Sequence, residues 1–405
     1  MFIEQFIFFF GFTILFLLAL FLFVELVFRA FEAFHKRYFV QLVRRSDYID
    51  KDYHPYLKIL DDWSKPMFKY HSIGFRLFNP DFALPDQVVN NQLGFRCDEF
   101  EKPCPEEFRV ILLGGSQAWG SGASSNSATI SGQLENFLNK DKRLLGSKKR
   151  AKCYNLAQIS GTQTQDLLTL AFFCRKIEPN IIISLTGWNE LGTNYPMKTD
   201  LLEKYGVFYI PELEGWEPYQ ASDNRYKFLK NALFEWGQHN SRLLHFLLSN
   251  NFKTNSEFTY SLNERESRVE LCSKLFIDHL KTINSVSQSF EALHFQFLQP
   301  NLYWKKSLTH EEKKVVELYD DVIPVYGKDI GDYIRNHDIY ARVLESAGNE
   351  ENSLGSITDL SKVFEYDANQ VFFTLVHLTD YGQTKIAEQM HQKLVFELIT
   401  NREVS

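Results

Sequence analysis

Ser116 lies in a setting that could make its hydroxyl reactive. In the segment "VILLGGSQAWGSG" it directly follows an apolar run, and the surrounding glycines permit a tight turn and the close approach of a substrate. Such a turn also leaves backbone N–H groups pointing outward. The pattern fits a nucleophilic serine or a phosphate cradle, and an ordinary structural turn is the third interpretation. Against phosphate, the Lys-Ser/Thr pair of the phosphate loop and the GxGxxG spacing of dinucleotide sites are missing.

Three further positions that could do chemistry also end apolar runs. Gly161 in "NLAQISGTQTQ" can offer a backbone N–H group, and Asn189 in "SLTGWNEL" can donate from its amide to a developing oxyanion. His377 ends the run "QVFFTLVH" and can act as a base. Each residue alone is more often part of a helix cap or a turn. Together with Ser116, they supply a nucleophile, a base and hydrogen-bond donors if the chain brings them together.

The elements that must position these residues follow an alternating pattern. Short, continuously apolar runs typical of strands buried on both faces occur at "RVILLGGS", "CYNLAQISG", "NIIISLTGWN", "HFQFLQPN" and "QVFFTLVH". Helical patterns lie between and after them, at 130–139, 164–176, 310–322 and 379–399. This alternation predicts an α/β fold with an open parallel sheet and helices on both faces. In such folds, ligands bind where the carboxyl ends of the strands meet, which would gather the four positions at one edge.

These four positions resemble the hallmarks of the SGNH hydrolases, a branch of the GDSL esterase and lipase group. The family has a nucleophilic Ser in a GDS-like turn, a Gly, an Asn in GxND and a His in DxxH. This sequence reads "GGSQAWG" at Ser116, "ISG" at Gly161, "GWNE" at Asn189 and "TLVH" at His377. The order agrees over 108–399, and "FLQPNLYWKKSLTHEE" looks like a stretch of bacterial members. The resemblance implies a three-layer α/β/α, flavodoxin-like sandwich with a mainly parallel sheet of about five strands.

The resemblance also implies acyl transfer through a covalent intermediate. His377 would remove the hydroxyl proton of Ser116 while Ser116 attacks an ester carbonyl. The Ser116 N–H, the Gly161 N–H and the Asn189 amide would hold the oxyanion. The acyl group would then pass to water or to a sugar hydroxyl. This chemistry calls for no cofactor and no metal.

Two positions depart from the family pattern. Glu190 stands where GxND has Asp, and Thr374 stands where DxxH has the acid that normally fixes the imidazole tautomer. In serine proteases, loss of that charge lowers turnover by about 10⁴-fold. The site is therefore a weaker Ser–His dyad, uses another carboxylate, or has lost catalysis. Nearby candidates are Asp359, Glu365, Asp367 and Asp380, of which Asp380 is expected to be the N-cap of the last helix instead.

The N-terminus predicts a membrane anchor over 1–28. Residues 6–24 carry no charge and would span roughly 28 Å as a helix, about one hydrocarbon core. A cleaved signal peptide is the competing interpretation, but the start is not basic and no A-x-A site follows. A basic juxtamembrane helix is expected at 29–45, either along the headgroup surface or as a solvated extension. Its Lys and Arg residues argue for a cytoplasmic body; the family resemblance suggests a periplasmic one, which we favour.

Composition excludes several classes of function. The chain has a net charge of −7 and no long basic block, so it lacks the electrostatic signature of nucleic-acid binding. Its five cysteines include no CxxC pair, and a bridge between Cys97 and Cys104 is the one disulfide considered. We expect a strand and turn extension at 46–107 and a hydrolase-like domain at 108–400. A helical insertion at about 201–290 would cover the active edge or serve as a partner surface.

The predicted function is a membrane-anchored serine ester hydrolase or O-acyltransferase acting on acylated glycans of the cell envelope. The alternative is a catalytically weak or inactive relative that binds glycan or a protein partner through the same cleft. A phosphate-binding module is the third hypothesis. The acyl group, the acceptor and the oligomeric state do not follow from the sequence.

Overall fold

The computed structural model describes 88–193, 208, 262–322, 339–348 and 356–400, the backbone of 68–71 and 75–78, and parts of 10–30. The chain divides into two compact units: Met1–Asp47 with Pro211–Thr259, and Tyr48–Ile210 with Tyr260–Ser405. In the first unit, the described residues between 10 and 30 are helical. No helix among the described residues combines the length and the apolar character needed to cross a bilayer. The predicted span at 6–24 and the predicted basic helix at 29–45 lie partly outside the described residues.

The second unit begins with a small antiparallel pair and continues into a five-stranded parallel sheet. Strands β1 (Phe68–His71) and β2 (Phe75–Phe78) form the pair, within the predicted extension at 46–107. The large sheet contains β3 (Glu107–Gly114), β4 (Arg150–Asn155), β5 (Ile181–Thr186), β6 (Leu293–Leu298) and β7 (Ser356–Asp359). Its order is β4-β3-β5-β6-β7, and every neighbouring pair is parallel. This is the flavodoxin-like order, so the predicted α/β class with about five parallel strands is confirmed.

Helices cover both faces of the sheet. They are α1 (Ile130–Lys140), α2 (Gln163–Ile177), α3 (Leu262–Ser289), α4 (His310–Val322), α5 (Ile339–Gly348) and α6 (Asp380–Val395). Successive side chains of β3 point to opposite faces, as in any strand. Leu112 therefore lies in one buried cluster with Leu134 of α1, and Ile111 lies in another with Leu170 of α2. Burial on both faces explains why the strands read as continuous apolar runs.

The fifth apolar run was predicted wrongly as a strand. "QVFFTLVH" forms a loop, and the fifth strand is β7 with the sequence "SITD". The loop closes on itself, because the Thr379 N–H donates to the Val371 carbonyl at 2.8 Å and the Phe373 N–H donates to the His377 carbonyl at 3.1 Å. Most of its apolar side chains are buried, and its backbone forms an isolated antiparallel bridge between Phe372 and Leu378 instead of a strand of the sheet. A short apolar run does not by itself reveal the backbone conformation.

The predicted insertion at about 201–290 ends earlier than expected. Helix α3 connects β5 to β6 and buries Cys272, Phe276 and Leu280 in the main core of the second unit. It is therefore a crossover helix of the α/β fold and not part of an insertion. Apart from Phe208, residues 201–261 lie outside the described residues. All five cysteines are free, so the bridge between Cys97 and Cys104 is not formed.

Candidate active site

Ser116 is the first residue of a short helical turn, Ser116–Trp119, directly after β3. Gly114 has φ +134°, and a Cβ there would lie 2.2 Å from the Leu185 carbonyl oxygen. A Cβ on Gly115 would lie 2.5 Å from Nδ2 of Asn189. The two glycines therefore let the serine turn lie tightly against the end of β5.

His377 meets Ser116 across the chain. Its Nε2 lies 2.8 Å from Ser116 Oγ, although the two residues are 261 positions apart. Within this distance one group donates a hydrogen bond to the other. The structure thus joins the predicted nucleophile and the predicted base, even though His377 lies in a loop and not at a strand end.

Packing and a bridging amide hold the histidine loop against the serine turn. The Phe373 ring stacks on the His377 ring, with centroids 5.7 Å apart. A Cβ on Gly122 would lie 1.9 Å from the Phe373 ring, so glycine is required beneath it. The Nε2 amide of Gln117, next to the nucleophile, donates to the Pro300 carbonyl at 3.0 Å and to the Val376 carbonyl. Gln117 thus connects the serine turn to the loops that contain Pro300 and Val376.

A buried ion pair anchors the start of the histidine loop. Glu312 accepts hydrogen bonds from the backbone N–H groups of Val371 and Phe372, at 3.0 and 3.1 Å. Its other carboxylate oxygen binds the ammonium group of Lys305, which also donates to the Asn369 carbonyl at 2.6 Å. Both side chains of the pair are fully buried. Sequence reasoning missed this anchor, although both residues lie in the stretch "FLQPNLYWKKSLTHEE" that supported the family resemblance.

Thr374 occupies the place of the family acid. Its Oγ1 lies 2.9 Å from Nδ1 of His377. The histidine ring is largely enclosed by protein, and this burial lowers its pKa to about 4. His377 is therefore neutral at neutral pH.

The four acidic candidates bind other groups. Asp359 accepts from the Ser361 N–H, Glu365 pairs with Lys306, Asp367 accepts from the Tyr381 hydroxyl, and Asp380 accepts from the Ser124 N–H. The prediction that Asp380 caps the last helix is wrong. Thr379 is the N-cap of α6, and its hydroxyl accepts from the Gly382 N–H at 3.1 Å. Asp380 is the first residue of α6, and its carboxylate bonds Ser124 in the glycine-rich loop 120–129, which follows the serine turn.

The oxyanion donors differ in part from those expected. The Gly161 N–H donates to the Gln158 carbonyl at 2.9 Å, which closes a turn that includes Ser160 with φ 56°. Gly161 instead offers its carbonyl, which accepts from Asn189 Nδ2 at 2.7 Å. An amide nitrogen carries two hydrogens, and this bond uses one of them to orient Asn189. The Ser116 N–H opens a helical turn, where no intrahelical acceptor is available.

Two buried carboxylates brace the strand ends around these donors. Glu190 accepts from the Gln163 N–H at 2.8 Å and from the Gly187 N–H at 2.9 Å. Asp166 accepts from the Gly114 N–H at 3.1 Å. Burial raises the pKa of Glu190 to about 7 and the pKa of Asp166 well above its ordinary value, where the nearby charge of Glu190 adds to the effect. Glu190 thus joins the turn that carries Asn189 to the start of α2. No sequence signal pointed to Asp166.

Arg96 supports the loop behind the nucleophile. Its buried guanidinium donates to the Gly120 carbonyl at 2.7 Å and to the Ala123 carbonyl at 3.3 Å, and it lies over the Trp119 ring. The sequence contained Arg96 only as part of a "GFR" tripeptide, which gave no functional signal. Within the part of the chain that the structure describes, no group of three or more His, Cys, Asp or Glu side chains is placed to hold a metal ion.

Several solved structures of esterases and lipases are similar to this chain. No protein-family model and no curated protein sequence matches it. It is similar to an acetylxylan esterase from Geobacillus stearothermophilus, with 11% identity, a TM-score of 0.35, and coverage of 71% of this chain and 94% of that chain. It is also similar to a GDSL-like lipase from Bacteroides thetaiotaomicron, with 9% identity, a TM-score of 0.32, and coverage of 72% and 92%. A third is the acetyl xylan esterase AlAXEase, with 12% identity, a TM-score of 0.35, and coverage of 71% and 99%. The strand order itself carries the resemblance in fold, and an activity has to be derived from the site.

Proposed function

We propose that this protein is a serine ester hydrolase in which Ser116 is the nucleophile and His377 the base. The contact of 2.8 Å between Ser116 Oγ and His377 Nε2 carries the proposal. A serine hydroxyl is a weak nucleophile until a neighbouring base removes its proton. The imidazole of His377 is neutral, and its Nε2 lies within hydrogen-bond distance of the serine hydroxyl.

The reaction follows from the positions of the groups. As Ser116 Oγ attacks an ester carbonyl, its proton passes to His377 Nε2, and the carbonyl oxygen becomes an oxyanion between the Ser116 N–H and the Asn189 amide. When the tetrahedral intermediate collapses, the leaving alcohol takes the proton from Nε2 and the acyl group stays on Ser116. An incoming water or sugar hydroxyl then gives its proton to His377 and attacks the acyl carbonyl. As this second intermediate collapses, the bond to Ser116 breaks and His377 returns the proton to Ser116 Oγ.

The substrate class proposed is an acylated glycan of the cell envelope. It rests on the resemblance of the motifs to the SGNH hydrolases and on the uncharged run at 6–24, which suits an anchor that holds the enzyme at a membrane. We propose a periplasmic body on the strength of that resemblance. Protease added to spheroplasts checks this orientation: a body that is degraded from outside is periplasmic, and one that survives until the cells are lysed is cytoplasmic.

Hydrolysis of small acetyl esters by the purified full chain tests the proposed activity. The wild type should release acetate, and Ser116→Ala should reduce the rate to that of the buffer. Ser127→Ala is a matched control, because Ser127 is an exposed serine of the same glycine-rich loop and should leave the rate unchanged. Equal rates for wild type and Ser116→Ala would reject the hydrolase. Adding a soluble xylo-oligosaccharide as acceptor separates transfer from hydrolysis through the appearance of acetylated sugar.

A catalytically weak or inactive glycan-binding protein is the second candidate. The observation that favours it is the hydroxyl of Thr374 where the family has a carboxylate beside the base. It predicts no ester hydrolysis above the Ser116→Ala background, together with binding of acetylated oligosaccharide that is weakened when Asn189 is changed to Ala. Hydrolysis that depends on Ser116 would contradict it.

A further inference from the structure

The hydroxyl of Thr374 lies directly against the proposed base. Its Oγ1 is 2.9 Å from Nδ1 of His377, while Nε2 of the same ring is 2.8 Å from Ser116 Oγ. A carboxylate at this position could only accept a hydrogen bond from Nδ1, but a hydroxyl can donate or accept. Whether the Thr374 hydroxyl donates to Nδ1 or accepts from it therefore determines which ring nitrogen of His377 carries the proton.

Backbone N–H groups already donate hydrogen bonds to the hydroxyl oxygen of Thr374. The backbone N–H groups of His377 and Val376 both point at Oγ1, at 3.0 and 3.4 Å. Because backbone N–H groups only donate, the hydroxyl accepts from both, and its two lone pairs are engaged. The hydroxyl hydrogen still needs an acceptor. Among the described residues, the acceptor within reach is Nδ1 of His377.

We propose that Thr374 donates its hydroxyl hydrogen to Nδ1 and so holds the resting His377 in the tautomer with the proton on Nε2. In that state Nε2 donates to Ser116 Oγ and cannot accept its proton. Before each turnover Nε2 releases its proton to solvent and Nδ1 takes one from solvent. The Thr374 hydroxyl then rotates and accepts from Nδ1 in place of the longer bond from the Val376 N–H. Thr374 is thus a positioning residue that slows ester hydrolysis by favouring this tautomer of His377. This effect on the rate rests on the proposed function.

The surroundings of the ring support a choice between neutral tautomers. Burial lowers the pKa of His377 to about 4, so the doubly protonated ring is not the resting state at neutral pH. The nearby acidic side chains of Asp359, Glu365 and Asp380 bind other groups. The Thr374 hydroxyl lies within hydrogen-bond distance of Nδ1.

Three substitutions at 374 separate the hydroxyl from the rest of the side chain. Thr374→Ser keeps the hydroxyl. Thr374→Val keeps the shape and removes the donor. Thr374→Asp accepts backbone N–H groups in the same kind of turn but has no hydrogen to give, so it favours the proton on Nδ1 and frees Nε2.

Nitrogen NMR of the full chain in detergent micelles, labelled with ¹⁵N-histidine, reads the tautomer directly. The signals of His377 are identified among the 11 histidines by their loss in His377→Gln. Wild type and Thr374→Ser should carry the proton on Nε2, Thr374→Asp should carry it on Nδ1, and Thr374→Val should lose the preference. A proton on Nδ1 in the wild type, or the same tautomer in wild type and Thr374→Val, would overturn the proposal.

The rate at which a fluorophosphonate labels Ser116 gives a second readout. Thr374→Asp should raise it by at least about tenfold, toward the roughly 10⁴-fold by which a wrong tautomer slows a serine protease. No rise in Thr374→Asp, with its ring shown by NMR to carry the proton on Nδ1, would overturn the proposal. The proposed hydrolase and the proposed tautomer of His377 can be rejected separately. Absence of label on Ser116 in every variant rejects the hydrolase, while the NMR signals still decide the tautomer.

Discussion

A Cβ atom at Gly115 would lie 2.5 Å from the amide nitrogen of Asn189, so the residue before the proposed nucleophile packs directly against the proposed oxyanion donor. The backbone at Gly115 has φ −84°, which other residues adopt readily, so the need for glycine comes from space and not from conformation. The absence of a side chain at Gly115 lets the Asn189 amide lie against the backbone next to Ser116.

Gly115→Ala should therefore displace the Asn189 amide while leaving the fold intact. We expect kcat for an acetyl ester to fall by about 10²- to 10³-fold, the typical loss for one oxyanion donor. Steady-state kinetics measures this, and circular dichroism checks the fold. Asn189→Ala should lose a similar factor, and the double variant should lose little more than either single change, because both remove one interaction. Losses that multiply would show that Gly115 acts through something else.

Gln117→Leu should misplace the histidine loop relative to the serine turn. Two carbonyl groups, of Pro300 and Val376, lose their donor, and a shift of the base by about 1 Å can cost roughly 10²-fold in rate. We expect kcat to fall with KM nearly unchanged. Gln133→Leu is the matched control, because that amide bonds an exposed carbonyl on the surface. Equal kinetic effects of the two substitutions would argue against a positioning role for Gln117.

The buried ion pair between Lys305 and Glu312 should be important for the stability of the fold. Lys305→Met leaves the Glu312 carboxylate buried without its cation, and we expect the free energy of unfolding to fall by about 3–5 kcal/mol in urea titrations. Adding Glu312→Gln should restore part of that loss, because no charge is then buried. Lys385→Met removes an exposed ion pair and should change stability little. If Lys305→Met costs no more than Lys385→Met, the anchor does not stabilise the loop.

The pH dependence of hydrolysis should reflect the low pKa of His377. A protonated imidazole cannot accept the serine proton, and burial lowers this pKa to about 4. We expect kcat/KM to stay level from neutral pH down to about pH 5 and to fall below it. Thr374→Asp should move the midpoint upward, because a neighbouring carboxylate favours the charged imidazole. A wild-type midpoint at the ordinary histidine value of about 6.5 would contradict this picture.

Much of the architecture followed from local patterns. Long continuous apolar runs identified β3 and β5, and amphipathic spacing identified α1, α2 and α4, because burial on known faces leaves a period in the sequence. β7 has four residues and its sequence "SITD" is only partly apolar, so the sequence pattern favours the more apolar segment near His377 as the fifth strand. Tertiary contacts determine which of the two segments forms the fifth strand, and local sequence patterns do not report those contacts.

Candidate site residues could be predicted where the side-chain type suits one particular chemical role. Ser116, Asn189 and His377 are predicted from such residue types at the ends of apolar runs, and the structure places His377 against Ser116 and Asn189 against Gly115. The role of Gly161 depends on which way its peptide group points, and the turn from Gln158 directs its N–H away from the expected place. Glu312 and Arg96 act through backbone groups of distant loops, which a sequence pattern does not contain.

Mass spectrometry of the intact, folded chain after treatment with a fluorophosphonate tests the central claim most directly. We predict one covalent adduct, located on the peptide that contains Ser116, and a rate of formation that drops sharply in His377→Gln. The adduct should be absent in Ser116→Ala and unchanged in Ser127→Ala. A folded wild-type chain without an adduct on Ser116, or an adduct that forms at the same rate in His377→Gln, would contradict the account of Ser116 and His377 as a catalytic pair.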